Sequence, residues 1–112
     1  MRRAACPPRT DASLMVTVSV LLTIAIPAAQ SLKDKRQVVH SLVERLRVRR
    51  QVSAAEVGLQ DQVRRAHVGF AVVSGEFAEA QRLTDSIRRF VDEELIGKAE
   101  VVDTVLEETV LD

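Results

Sequence analysis

The stretch MVTVSVLLTIAIPAAQSLKDKR, residues 15–36, decides the fold. Val16, Val18, Val20, Leu22, Ile24 and Ile26 recur at every second position, separated mostly by Thr17, Ser19, Thr23 and Ala25. Strict alternation of β-branched residues predicts a strand with one buried face. Pro27 ends it, because proline has no N–H for a ladder. Ser31-Leu32-Lys33-Asp34 then has the pattern of a capping box. The Ser31 hydroxyl can accept from the third helical amide while Asp34 reaches back. Behind that cap, Leu32, Val39, Leu42, Val43 and Leu46 fall on one arc of a helical wheel, predicting a helix to about Arg50.

Upstream, Arg2 and Arg3 followed by this apolar run and Pro27-Ala28-Ala29 also have the outline of a secretory signal. The alternation favours the strand, and the run is too short and too polar for a membrane span, which needs about 20 apolar residues. Residues 1–14 show no periodicity and read as a disordered extension before one domain over 15–112, with Met15 as an alternative start. The single cysteine, Cys6, falls in that extension, so nothing points to an oxidising compartment. A cytoplasmic protein with no membrane association is expected.

Downstream, Val52 to Val57 reads as a short strand stopped by Gly58, and residues 58–65 as a polar loop. Ala66 to Val73 is a third strand, with Val68, Phe70 and Val72 on one face. After Ser74-Gly75, a second helix carries Ala80, Leu83, Ile87, Phe90 and Val91 as its apolar stripe. Gly97 suits its C-terminal cap, and Val101 to about Leu111 is a last strand. The order is β-α-β-β-α-β. It predicts an α+β fold of the ferredoxin-like type, a four-stranded antiparallel sheet with two helices on one face. The other face would carry Thr17, Ser19, Leu21, Thr23 and Ala25 from the first strand and His67, Gly69, Ala71 and Val73 from the third.

Composition narrows the function. At 46% hydrophobic and 29% charged, the chain is too apolar for disorder. Its three phenylalanines, with no tryptophan or tyrosine, argue against a base-stacking surface. Net charge is zero, but residues 1–56 carry an excess of six positive charges and residues 57–112 an excess of six negative ones. Folding could interleave and cancel these halves, or leave them apart as a hint about partners.

Two motifs resemble a known family. Ser31-Leu32-Lys33-Asp34-Lys35-Arg36 after an apolar strand is similar to the signature of the YlxP-like proteins. Ala55-Glu56-Val57-Gly58, Asp61, Arg65-Ala66, Gly69 and Val72-Val73-Ser74 follow the same family's pattern. The resemblance runs from about Met15 to the C-terminus, and the 14 residues before it depart from the pattern. It implies a small bacterial protein with a ferredoxin-like fold and no characterised function. Family genes often lie near those for translation initiation factor two and ribosome-binding factor A, which implies by association a link to ribosome assembly or RNA.

The residues themselves offer little catalytic chemistry. His40 and His67 lack metal-ligand spacing, and Gly58, Gly69, Gly75 and Gly97 stand alone, so there is no phosphate-cradling loop. Glu56, Gly58 and Asp61 form a loop motif in which the two acids could pair, or simply hydrogen-bond the turn. No metal site, cofactor or enzymatic activity is expected. The first helix is more informative: residues 31–50 hold seven basic side chains against two acidic ones. Lys33, Arg36, His40 and Arg47, at steps of three, four and seven, line one flank, with Lys35 nearby and Arg64 and Arg65 able to join if their loop folds that way. Such a row can track phosphates, although long stems on a solvated face would produce the same pattern. The expected role is an RNA- or ribosome-associated accessory factor, with rRNA or a ribosomal subunit as partner. The alternative is a homo-oligomeric interaction module using the open sheet face.

Overall fold

A computed structural model describes residues 14–112. The elements are β1 (Met15–Ala25), α1 (Leu32–Arg49), β2 (Ser53–Gly58), β3 (Arg65–Ser74), α2 (Phe77–Leu95) and β4 (Glu100–Leu111). The strands form one sheet in the order β2-β3-β1-β4, every neighbour antiparallel. This is the ferredoxin-like arrangement expected from the sequence.

Alternation in β1 works as read. Val16, Val18, Val20, Leu22 and Ile24 are buried on the helix-covered face of the sheet, and the residues between them lie on the open face. Their register partners in β3, including Val72, Phe70 and Val68, fill the same side of the sheet. Burying each such side chain stabilises the fold by roughly 1.5–3 kcal/mol. The start of α1 also forms as its residues require. The Asp34 amide donates to Ser31 Oγ at 3.1 Å, and Asp34 Oδ2 accepts from the Gln30 amide at 2.9 Å. At the far end of α2, Gly97 takes φ +80°, a left-handed conformation that costs glycine little.

The buried line of α2 differs from the expected stripe. Ala80, Thr84, Ile87, Val91 and Leu95 are buried, whereas Leu83 is exposed and Phe90 only half-buried. Thr84 lies four residues after Ala80 and three before Ile87, at the centre of the contact. Its hydroxyl is satisfied by donating to the Ala80 carbonyl at 2.8 Å, so a polar side chain can occupy the core. Phe90 lies to the side and stacks under the Arg50 guanidinium, 5.6 Å from the ring centre.

The helices are not centred on the sheet. α1 packs on β2 and β3, and α2 on β3, β1 and, sparsely, β4. Hence β4 is exposed along most of its length. Extra residues bulge at Val57 in β2 and Val102 in β4. Apart from Leu14, half-buried against the core, the expected disordered extension and Cys6 lie outside the described residues. Among the described residues, no helix is long and apolar enough to cross a membrane.

Candidate anion-binding surface

The basic side chains of α1 divide into those that hold the fold together and those that face solvent. Lys35 belongs to the first group, which corrects its expected place on the anion-binding surface. It is 1% exposed, one of the largest fully buried side chains. Its ammonium donates to the carbonyl oxygens of Leu59 at 2.7 Å, Gln60 at 3.2 Å and Arg65 at 3.4 Å. Glu56 Oε2 lies 3.4 Å away and supplies the countercharge. That oxygen is itself buried and makes no hydrogen bond, so it depends on Lys35 electrostatically. An ammonium can be buried only if its protons and charge are met in this way.

This arrangement also revises the loop motif. Glu56 does not pair with Asp61, because β2 turns its side chain inward, in register with buried Val68, towards α1. Asp61 stands exposed in the turn. Leu59 takes φ +56°, and its carbonyl accepts both the Gln62 amide, at 3.0 Å, and Lys35. Gly58 pairs with His67, where an added Cβ would come within 3.0 Å of His67 Nδ1. The two sequence motifs therefore meet in space through Lys35 and Glu56. The signal was present in the sequence: Lys35 sits four before Val39 and seven before Leu42, on the apolar arc, and Glu56 follows Ala54 by two on the inward face of its strand.

Other cations are also engaged. One guanidinium nitrogen of Arg45 meets both carboxylate oxygens of Glu94 in α2, at 3.1 and 2.9 Å. Arg50 donates to Ser86 Oγ. Arg47 donates its Nε to the Ala54 carbonyl of β2 at 2.9 Å. Because β2 is an edge strand, this contact shows that the Arg47 flank of α1 runs along the β2 edge. Lys33, Arg36 and His40 share that flank, and all three are exposed. The Lys35 clamp draws the 59–65 segment against the first turn of α1. Both arginines are exposed at the start of β3. Arg65, however, is in register with Ala25 and faces the open side of the sheet, away from the helices.

Among the described residues the two charge halves meet at Arg45 and Glu94 but stay apart at the sheet edges. The basic flank lies along β2 at one edge of the sheet, and Glu100, Asp103, Glu107 and Glu108 lie on β4 at the other. Among the described residues, no cluster of three or more His, Cys, Asp or Glu could hold a metal ion.

Comparison with known proteins places residues 17–105 within the DUF503 family, described as a protein of unknown function. An uncharacterised protein, YlxP of Bacillus subtilis (strain 168), is 33% identical over 64 residues, covering 57% of this chain and 70% of that one. A de novo designed protein with a ferredoxin fold superposes with a TM-score of 0.49 at 16% identity, over 86% of this chain and 85% of the design. A C-terminal segment of the alpha subunit of aIF2 from Pyrococcus abyssi gives 0.46 at 15% identity, over 87% of this chain and 49% of that one.

Proposed function

The chain belongs to the DUF503 family of unknown function, and from its own geometry we propose that it is a non-catalytic RNA-associated factor that grips phosphates along the β2 edge. The observation that carries this reading is charge segregation. Exposed Lys33, Arg36 and His40 share a flank with Arg47, while the acids of β4 stand at the opposite edge of the sheet. A polyanion laid along that flank meets cations without crossing the acidic strand. Arg64 extends the row at the end that Lys35 holds against α1. With no aromatic platform, contacts would follow backbone shape rather than base identity. The association implied by the family resemblance, with ribosome assembly in the cytoplasm, agrees with a ribosomal RNA as partner.

Fluorescence anisotropy with labelled ribosomal RNA fragments across a salt series tests this. Binding should weaken steadily as salt rises. Each phosphate contact contributes about 0.7–0.9 to the slope of log affinity against log salt. Lys33→Glu with Arg36→Glu should lower the slope by about 1.5 on that scale and leave thermal stability unchanged. Equal affinity and slope in this double variant would remove the assignment.

A further inference from the structure

We infer that the open face of the sheet packs against the same face of a second copy, about a two-fold axis running parallel to the strands between β3 and β1. The argument starts from register. Ala55, Gly69, Leu21 and Val105 form one row across the four strands. Small residues occupy the β2–β3 half of that row and bulky ones the β1–β4 half. A shallow hollow of about 520 Å³ lies over this region, with Ala55, Gly69 and Ala71 along one side and Leu21 and Val105 along the other, and with Ser19 and, at the β4 rim, Glu107 completing its wall. The centre of the face carries uncovered apolar side chains, Val57, Val73 and Val105 being 57%, 60% and 53% exposed, while polar and charged residues flank them.

Charge then selects the occupant and the axis. At one end of the face, Arg65 and His67 lie on β3, while Glu100 and Asp103 lie on β4, at the same levels along the strands. A two-fold parallel to the strands exchanges the halves but keeps these levels. It stacks β1 on β3 of the second copy and β4 on β2. Leu21 then sits over Gly69 of the second copy and Val105 over Ala55, so bulk enters the hollow. Glu100 and Asp103 then face the second copy's sheet across about 10 Å, offset sideways by one strand spacing of about 4.8 Å from Arg65 and His67 of the second copy, a gap that these long side chains span. A two-fold across the strands would instead put β4 on β4 and set Asp103 against Glu107. The favoured packing is the aligned one, in which stacked sheets cross at about 30°. Four strands about 4.8 Å apart and roughly ten residues long offer on the order of 600 Å² per copy, near the ~800 Å² of a standard interface. Both copies contribute the same patch, as a closed dimer requires. The basic flank of α1 remains outside the contact.

Sedimentation equilibrium of the full chain, nuclease-treated and free of RNA, should give the mass of a dimer. Ala71→Glu sets a new carboxylate at the level of Glu107 and one strand sideways from it on the second copy, and should yield a monomer whose circular dichroism is unchanged. Glu100→Arg alone should raise the dissociation constant at least about tenfold, and adding Arg65→Glu should restore it, because the swap re-pairs opposite charges across the axis. The swap keeps the test decisive if Ala71→Glu fails to fold. A monomeric wild-type chain at high micromolar concentration would overturn the inference. So would a dimer indifferent to these substitutions. RNA affinity is measured separately through Lys33 and Arg36, so the two readings fail independently.

Discussion

The two edges of the sheet are built on opposite principles. β2 is six residues long, bulged, and roofed by α1, which reaches it through the Lys35–Glu56 contact and the Arg47–Ala54 bond. β4 is twelve residues long and lies almost outside the helices, held chiefly by its ladder with β1. Two helices with axes about 8–10 Å apart are wide enough for four strands that span about 15 Å, so β4 is bare because both helices sit towards β2. An edge strand with free N–H and C=O groups invites pairing with other chains, and inward or flanking charges discourage it. β2 is protected by cover and β4 by its acids. The difference teaches that one edge depends on tertiary contacts and the other on local charge.

The largest effect should come from removing the clamp on the β2 side. Lys35→Met should destabilise the domain by about 3–5 kcal/mol in urea unfolding, because Glu56 is left buried without its countercharge. Pairing it with Glu56→Leu should recover much of that loss. If Lys35→Met were as stable as wild type, the clamp would contribute nothing and the two edges would be alike in this respect. Next, native-state amide exchange should distinguish the edges from within. Ladder amides of Leu106 to Val110 should exchange at least about tenfold faster than those at the centre of β1 and β3, since the β4 residues lack cover. Equal protection would mean that β4 opens only with the whole domain.

A smaller effect is expected at Arg47. Its replacement by alanine removes one charged hydrogen bond to the β2 backbone and should cost about 1–2 kcal/mol. At the bare edge, Leu106→Ser should change stability by no more than about 0.5 kcal/mol, the side chain being 48% exposed. A loss as large as that for Arg47→Ala would show that β4 is held by side-chain packing after all.

Much of this contrast was partly legible beforehand. The Ser31–Asp34 cap and the inward face of β1 follow from local rules, and both form as read. Charge groups Lys35 with its basic neighbours, whereas the wheel sets it among Val39, Leu42 and Leu46, and burial follows the wheel. Thr84 is the converse case: a hydroxyl that satisfies itself on the preceding turn is buried without an apolar signal in the sequence. The edge positions of β2 and β4 do follow from a β-α-β-β-α-β order. The sideways placement of the helices does not, because it depends on where two amphipathic surfaces settle across the sheet as a whole.

By itself the sequence determined the element order, the buried face of each central strand, the start of α1 and the separation of charge into a basic first half and an acidic second half. Those properties are local or periodic, and adjacent residues suffice to specify them. The tertiary contacts settle which lysine of the Ser31–Arg36 motif is buried, that Glu56 turns to it across 21 residues, and that the exposed flank of Lys33, Arg36 and His40 stands at the opposite sheet edge from the acids of β4. These outcomes depend on desolvation. A charged side chain is driven into the core or left outside by which distant carbonyl and carboxylate oxygens the fold brings within reach, and no local pattern contains that distance.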